Sequence, residues 1–270
     1  MKLLSTLVLA STAFAYPTIP QEETKRQLGG TVGSTANEFK TGGCNDIIFV
    51  WARGSTEIGN MGTVVGPPVA NNLKAAFPGQ VAVQGVDYAA GLDTNFLPGG
   101  ADPVGINQMK SILSDINSKC PTAIVVTGGY SQGAAVNHRA IENAPDAQKN
   151  QIAGVVTFGD TQFRADSGQI PNFPKDKIKI ICAANPRDTV CDGNLSAAVL
   201  APHLSYGANA QEGADFLIAQ IKKDLIAAVQ TDRTTPREGH IRACRFGLVQ
   251  WCIFTLRAHR GSGRAISSDG

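Results

Sequence analysis

Gly129-Tyr130-Ser131-Gln132-Gly133 has the residue types and spacing of a nucleophile elbow. It follows the β-branched run Ala123-Ile124-Val125-Val126-Thr127 and opens a segment compatible with a helix. In a strand-to-helix turn of this kind the serine hydroxyl is pushed outward, and glycines on either side remove side chains that would clash. The helix behind it directs its positive end and unpaired amides at the same point, where a developing oxyanion can be held. A serine between glycines is often only a turn. The strand before and the helix after are what predict a nucleophile here.

Such a hydroxyl needs a base, and the base needs an acid to orient it. The chain has four histidines. His138 lies seven residues beyond Ser131, which on a shared helix is about 10 Å along the axis and out of reach. His240 and His259 belong to an Arg-rich C-terminal stretch. His203, in Ala201-Pro202-His203-Leu204, remains as the base. In doubly wound hydrolases the chain order is serine, acid, histidine, with the acid on a loop after a late strand. Asp188 fits, lying between Cys182 and Cys191. Asp160 follows an earlier strand with nothing to clamp its loop, and Asp192 stands beside Gly193, where a turn role is expected. Asp188 is therefore assigned to hold the imidazole tautomer and stabilise the imidazolium. The oxyanion is expected to meet the backbone amide of Gln132 and a donor from the loop after an early strand. Ser55, in Arg53-Gly54-Ser55-Thr56-Glu57, offers both an amide and a hydroxyl, although the same segment also suits a plain turn with serine as a helix cap.

Five short β-type runs must position these groups: Asp46–Trp51, Gln80–Val86, Thr122–Thr127, Ala153–Phe158 and Lys177–Cys182. Helical signals alternate with them. Asp102-Pro103 reads as a cap and a first-turn proline, followed by Ile106, Met109, Ile112, Leu113 and Ile116 at helical spacing. Another helix is expected from Ser131. A last one runs from about Glu212 to Val229, with Phe216, Leu217, Ile221, Leu225 and Ala228 on one side and Lys222-Lys223 toward water. This alternation implies right-handed crossovers and a parallel sheet covered on both faces, a three-layer α/β/α sandwich with five central strands. The continuously apolar run Ile48-Phe49-Val50-Trp51 suits a strand buried on both sides.

The chain of 270 residues, 43% hydrophobic and 6% aromatic, can bury one good core. Residues 1–15 carry a charged start, a short apolar run and the small-residue end Ala13-Phe14-Ala15, the pattern of a secretory signal. Residues 16–26 end in Lys25-Arg26 and read as a pro-segment, followed by an N-terminal arm over 27–43 and the main domain over 44–230. The net charge of +2 is a product of the tail: residues 27–230 hold 14 basic and 17 acidic side chains, whereas 231–270 hold seven Arg and three acids. The body thus has no basic stripe for nucleic acid, and no segment is long and apolar enough to span a bilayer. The tail is expected to be unstructured or the product of a misplaced gene end.

Six cysteines in a secreted chain point to disulfides. Cys44, Cys120, Cys182 and Cys191 permit three pairings. Cys44 with Cys120 and Cys182 with Cys191 is favoured, because the first two each precede an apolar strand and the second two flank a short loop. Loops of these lengths correspond to about 4.5 and about 2.5 kcal/mol in the chain-entropy picture, so the small bridge serves position more than stability. Cys244 and Cys252 lie in the tail. Asn194-Leu195-Ser196 is a usable glycosylation sequon close to the expected site.

Together ARGSTE at 52–57, GGYSQGAA at 128–135, Asp188-Thr189-Val190-Cys191 and APHLSYG at 201–207 resemble the fungal cutinases, within the cutinase and acetylxylan esterase group, over about Cys44 to Val229. The resemblance implies an α/β hydrolase without a large lid, acting on carboxylic esters of the plant polyester cutin and on short-chain esters, as a secreted monomer without metal or cofactor. It carries over Ser131 as nucleophile, His203 as base, Asp188 as orienter, Ser55 and Gln132 as oxyanion donors, and the two disulfides. It adds Asn95 as support for Ser55, and Leu92, Phe96, Leu97, Val199 and Leu204 as apolar lips around the substrate. The segment Ala183–Arg187 makes the acid loop longer than in those cutinases. An acetylxylan esterase and a non-catalytic secreted effector are the rival readings.

Overall fold

The computed structural model describes residues 30–234, with side chains through 230. The expected signal, pro-segment and most of the tail lie outside the described residues, as do His240, His259, Cys244 and Cys252. The chain divides into two units, Met1–Ala228 and Val229–Gly270. The core and the site belong to the first.

In chain order the elements are α1 (Glu38–Gly42), β1 (Ile47–Ala52), α2 (Gly66–Ala76), β2 (Val81–Gly85), α3 (Pro103–Lys119), β3 (Ile124–Tyr130), α4 (Gln132–Ile141), α5 (Asp146–Gln151), β4 (Ile152–Phe158), β5 (Ile178–Ile181), α6 (Ala201–Leu204) and α7 (Ala210–Thr234). The five strands are all parallel, in the order β2-β1-β3-β4-β5. Each falls on one of the five β-type runs. β1 is buried along its whole length, and its side chains alternate between two cores. Ile47, Phe49 and Trp51 pack with Val69 and Leu73 of α2 and Ala214, Leu217 and Ile221 of α7. Ile48, Val50 and Ala52 pack with Ile106, Met109 and Ile116 of α3 and Ala135, Val136 and Ala140 of α4. At about 1.5–3 kcal/mol for each fully buried large apolar side chain, these two cores dominate the stability of the sheet.

α3 starts where its sequence says it should, with Asp102 Oδ1 accepting from the Val104 amide at 2.9 Å and Pro103 in the first turn. α4 begins at Gln132, with Ser131 just outside it. α7 is longer than expected at both ends, and one detail of its pattern is corrected. Its sheet-facing stripe stops at the half-buried Leu225, while Ala228, one turn further on, is exposed.

The strand order puts a topological switch between β1 and β3. α2, after β1, covers one face of the sheet, and α4, after β3, covers the other. The loops leaving these adjacent strands therefore part and leave a crevice at their C-terminal ends. Ser55 and Ser131 follow these two strands directly. Disulfides join Cys44 to Cys120 and Cys182 to Cys191, with Cα separations of 5.5 and 6.3 Å.

Candidate active site

Ser131 sits at φ 55°, ψ −118°, a left-handed conformation that costs a non-glycine residue about 1–3 kcal/mol. Surrounding contacts hold it there: its amide donates to Phe158 O at the end of β4 at 2.9 Å, and its carbonyl accepts from Ala134 N at 2.9 Å. The motif glycines are required by close approach. A Cβ on Gly129 would lie 2.2 Å from Gly133 O, and one on Gly133 would lie 2.0 Å from Ala52 O at the end of β1.

Asp188, in the loop after β5, and His203, in α6, meet this serine. His203 Nε2 is 2.9 Å from Ser131 Oγ, and Nδ1 is 2.8 Å from Asp188 Oδ2. Asp188 and His203 are only 2% exposed and Ser131 7%. Burial is the largest influence on the Asp188 carboxyl and acts to raise its pKa. Hydrogen bonds from His203 and Tyr206, the charge of His203 and the Val190 amide outweigh it and hold the carboxyl below the usual carboxylate range. The Tyr206 hydroxyl donates to Asp188 Oδ2 at 2.7 Å and accepts from the Ala183 amide at 2.9 Å. Burial pushes the Tyr206 phenol up, so it stays a donor at neutral pH. The His203 ring is held between Tyr130, stacked at 5.2 Å, and the edge of Tyr206, while Tyr130 also donates to His203 O at 2.7 Å. Behind the ring is Gly159, at φ +52°, where a Cβ would stand 2.7 Å from His203 Cε1.

Ser55 lies in a loop shaped by two charges, the buried Arg53 and the half-buried Glu57. The Glu57 carboxylate accepts from the amides of Gly54, Thr63 and Val64, and the Arg53 guanidinium donates to the carbonyls of Glu57, Tyr88 and Ala89. α2 does not begin until Gly66, so Ser55 is no helix cap. Its Oγ accepts from Asn95 Nδ2 at 2.8 Å and from Gln132 Nε2 at 3.0 Å. With both lone pairs engaged, the hydroxyl proton is left to donate elsewhere. The fully buried Gln132 side chain is fixed in turn: Nε2 also donates to Gly91 O, and Oε1 accepts from Thr94 Oγ1.

The structure thus brings together Ser131, His203 and Asp188, and separately Ser55, Asn95 and Gln132. The rival acids are engaged elsewhere, Asp160 with His138 at 3.0 Å and Asp192 with Arg187. The longer acid loop does not displace Asp188. Its amide donates to Ala183 O at 2.9 Å, and Ala184 bridges to Arg187, so the extra residues close on themselves. Leu92, Phe96, Leu97, Val199 and Leu204 are 41% to 75% exposed, and Leu200, which sequence reasoning did not name, is 54% exposed. They flank Asn95 on one side and His203 on the other. Tyr206, Gly159, the Tyr130 hydroxyl and the Gln132 side chain were also missed. Of these only Tyr130 and Gln132 carried a signal, being large polar residues inside a turn that must be tightly packed. Among the described residues no group of three or more His, Cys, Asp or Glu could hold a metal ion.

An open parallel sheet with a strained serine turn at the end of its central strand is the architecture of an α/β hydrolase. A family model described as Cutinase matches residues 43–221. A cutinase of Pyricularia oryzae is 46% identical over 219 residues, covering 81% of this chain and 97% of that protein, and Cutinase 2 of Fusarium vanettenii is 45% identical over 226 residues, covering 80% and 95%. A solved structure of Trichoderma reesei cutinase in complex with a phosphonate inhibitor superposes with a TM-score of 0.60 at 31% identity, covering 70% of this chain and 80% of that one. The chain belongs to the cutinase family and is a hydrolase.

Proposed function

We propose that this hydrolase opens carboxylic esters through an acyl intermediate on Ser131, with cutin and short-chain acyl esters as substrates. The carrying observation is that His203 is engaged through both nitrogens, to Ser131 at 2.9 Å and to Asp188 at 2.8 Å. Nε2 takes the serine proton as Oγ attacks the ester carbonyl. The new oxyanion is met by the Ser55 hydroxyl and the Gln132 amide. His203 then returns the proton to the departing alkoxide, leaving an acyl ester on Ser131. Water, deprotonated by the same nitrogen, attacks that ester and frees the acid. Asp188 stays ionised throughout and fixes which nitrogen faces the serine.

The exposed apolar side chains on either side of Asn95 and His203 support acyl chains longer than acetyl. The enzyme acts outside the cell as a monomer, after removal of the segments ending at Ala15 and Arg26. No helix among the described residues is long and apolar enough to cross a membrane. Rates on acetyl, butyryl and hexanoyl esters of one alcohol test the substrate class: kcat/KM is expected to rise by about 10-fold for each two methylenes added. A profile that peaks at acetyl and falls thereafter would favour the acetylxylan esterase reading instead.

A further inference from the structure

His138 is fully buried on α4, and the mechanism above makes no use of it. Its Nδ1 lies 2.6 Å from Asp166 Oδ2 and its Nε2 3.0 Å from Asp160 Oδ2. Ionised carboxylates only accept, so both ring nitrogens must carry protons and the imidazole is a cation. Asp160, also fully buried, accepts from Thr157 Oγ1 at 2.7 Å and from the Gln162 amide at 2.8 Å. Burial acts most strongly on its carboxyl and in the raising direction, but His138, Thr157 and Gln162 outweigh it and hold Asp160 ionised. Asp166 also pairs with Arg139, which reaches Glu142 at 2.6 Å. The other packed elements add no competing charge. β4 supplies only Thr157, Tyr130 of β3 lies in the opposite core, and α3 carries Lys110 at its surface and pairs Asp115 with Lys119 there.

The placement of this cluster matters more than its charge. Asp160 directly follows Gly159, where a Cβ would stand 2.7 Å from His203 Cε1, and Phe158 O holds the amide of Ser131. His138 lies two turns along the helix that starts behind Ser131. The bond from His138 to Asp160 therefore closes a ring: serine, α4, His138, Asp160, Gly159, His203 and back to the serine. We propose that His138 is a positioning residue for the catalytic pair, pinning the loop after β4 to α4 so that Gly159 seats the His203 imidazole against Ser131. This rests on the triad reading given above.

Burial acts to lower the pKa of His138, but Asp160 and Asp166 outweigh it and raise it to about 9. A raised histidine contributes fully below its unfolded value of 6.5. That contribution is lost as the pH rises through about 9. The seat should therefore loosen in alkali.

The test compares the wild type with His138→Gln on a soluble butyryl ester across neutral to alkaline pH, with circular dichroism recorded at each point. The wild type is expected to lose kcat along a limb centred near pH 9 with its fold intact. His138→Gln is expected to have kcat lower by about 10- to 100-fold at neutral pH, KM changed by less than about threefold, and no such limb. A variant with wild-type kcat, or one that keeps the limb, overturns the proposal. If the variant does not fold, NMR titration of the wild-type His138 ring decides. A midpoint matching the kcat limb supports the proposal, and a separation above about one pH unit overturns it. A phosphonate ester serves as control: failure to label Ser131 in the wild type removes the triad reading itself, whereas normal labelling with a limb unaffected by the substitution removes only the role of His138.

Discussion

Asp188, the proposed orienting acid, shows how much of a side chain's charge state is set by its neighbours. Its two oxygens accept from His203, from the Tyr206 hydroxyl and from the Val190 amide, and these bonds hold its carboxyl below the usual carboxylate range against a burial that acts to raise it. Tyr206→Phe removes one charge-assisted bond and leaves the Ala183 amide without its acceptor, so the fold should lose about 2 kcal/mol at neutral pH. The pH dependence follows from the sign of the shift. A depressed carboxyl stabilises the fold above its unfolded value, 3.8, and that contribution disappears as the pH falls through the still lower folded value. In Tyr206→Phe the folded value moves up, so the acid unfolding midpoint should move up with it, as urea titrations at a series of pH values would record. An unmoved acid midpoint would mean that Tyr206 does not help to keep Asp188 ionised. Ser131, Asp188 and His203 were legible in the sequence because each was constrained by a rule: the elbow motif, the chain order and the elimination of other histidines. Tyr206 was not, since a tyrosine between Ser205 and Gly207 follows no periodicity and its role exists only once the acid loop folds over it. Gly159 was silent for the same reason, because its need for no side chain comes from a ring 44 residues away in sequence.

Among the elements, the strands were the most legible. Runs such as Ile47–Trp51 are apolar on both faces because two cores need them. α2 was harder to read, since Gly66-Pro67-Pro68 opens it and few of its residues are large and apolar. The segment after β5 carries Asp188 as the cap of a short 3-10 turn and leads into α6, which holds His203, and its small disulfide closes only nine residues. Removing that bridge as Cys182→Ala/Cys191→Ala should cost about 2.5 kcal/mol in the chain-entropy picture. The activity loss should be the larger effect, about 10- to 100-fold in kcat at a temperature where the variant is still folded. Removing Cys44–Cys120 should show the reverse, about 4.5 kcal/mol of stability with little change in kcat. Melting curves and steady-state rates on both variants check this pair of outcomes. Equal effects on activity would contradict the view that the small bridge positions the acid.

For the whole molecule, the site is a consequence of topology. The switch between β1 and β3 sends α2 and α4 to opposite faces, so the loops bearing Ser55 and Ser131 open a crevice between two independently packed cores. His203 and Asp188, proposed as base and orienting acid, then arrive from the segment that follows β5. The fold class could be read from the alternation of strands and helices, but the meeting of residues 131, 188 and 203 could only be inferred, because no local pattern encodes a contact across 72 residues. The central claim is that these side chains act as one unit. It is tested most directly by kcat on a soluble butyryl ester for Ser131→Ala, His203→Ala and the double variant. Each single change is expected to cost about 10⁴-fold or more, and the double variant should be no slower than the worse single one. Losses that multiply in the double variant, or a Ser131→Ala enzyme within about tenfold of the wild type, would contradict it.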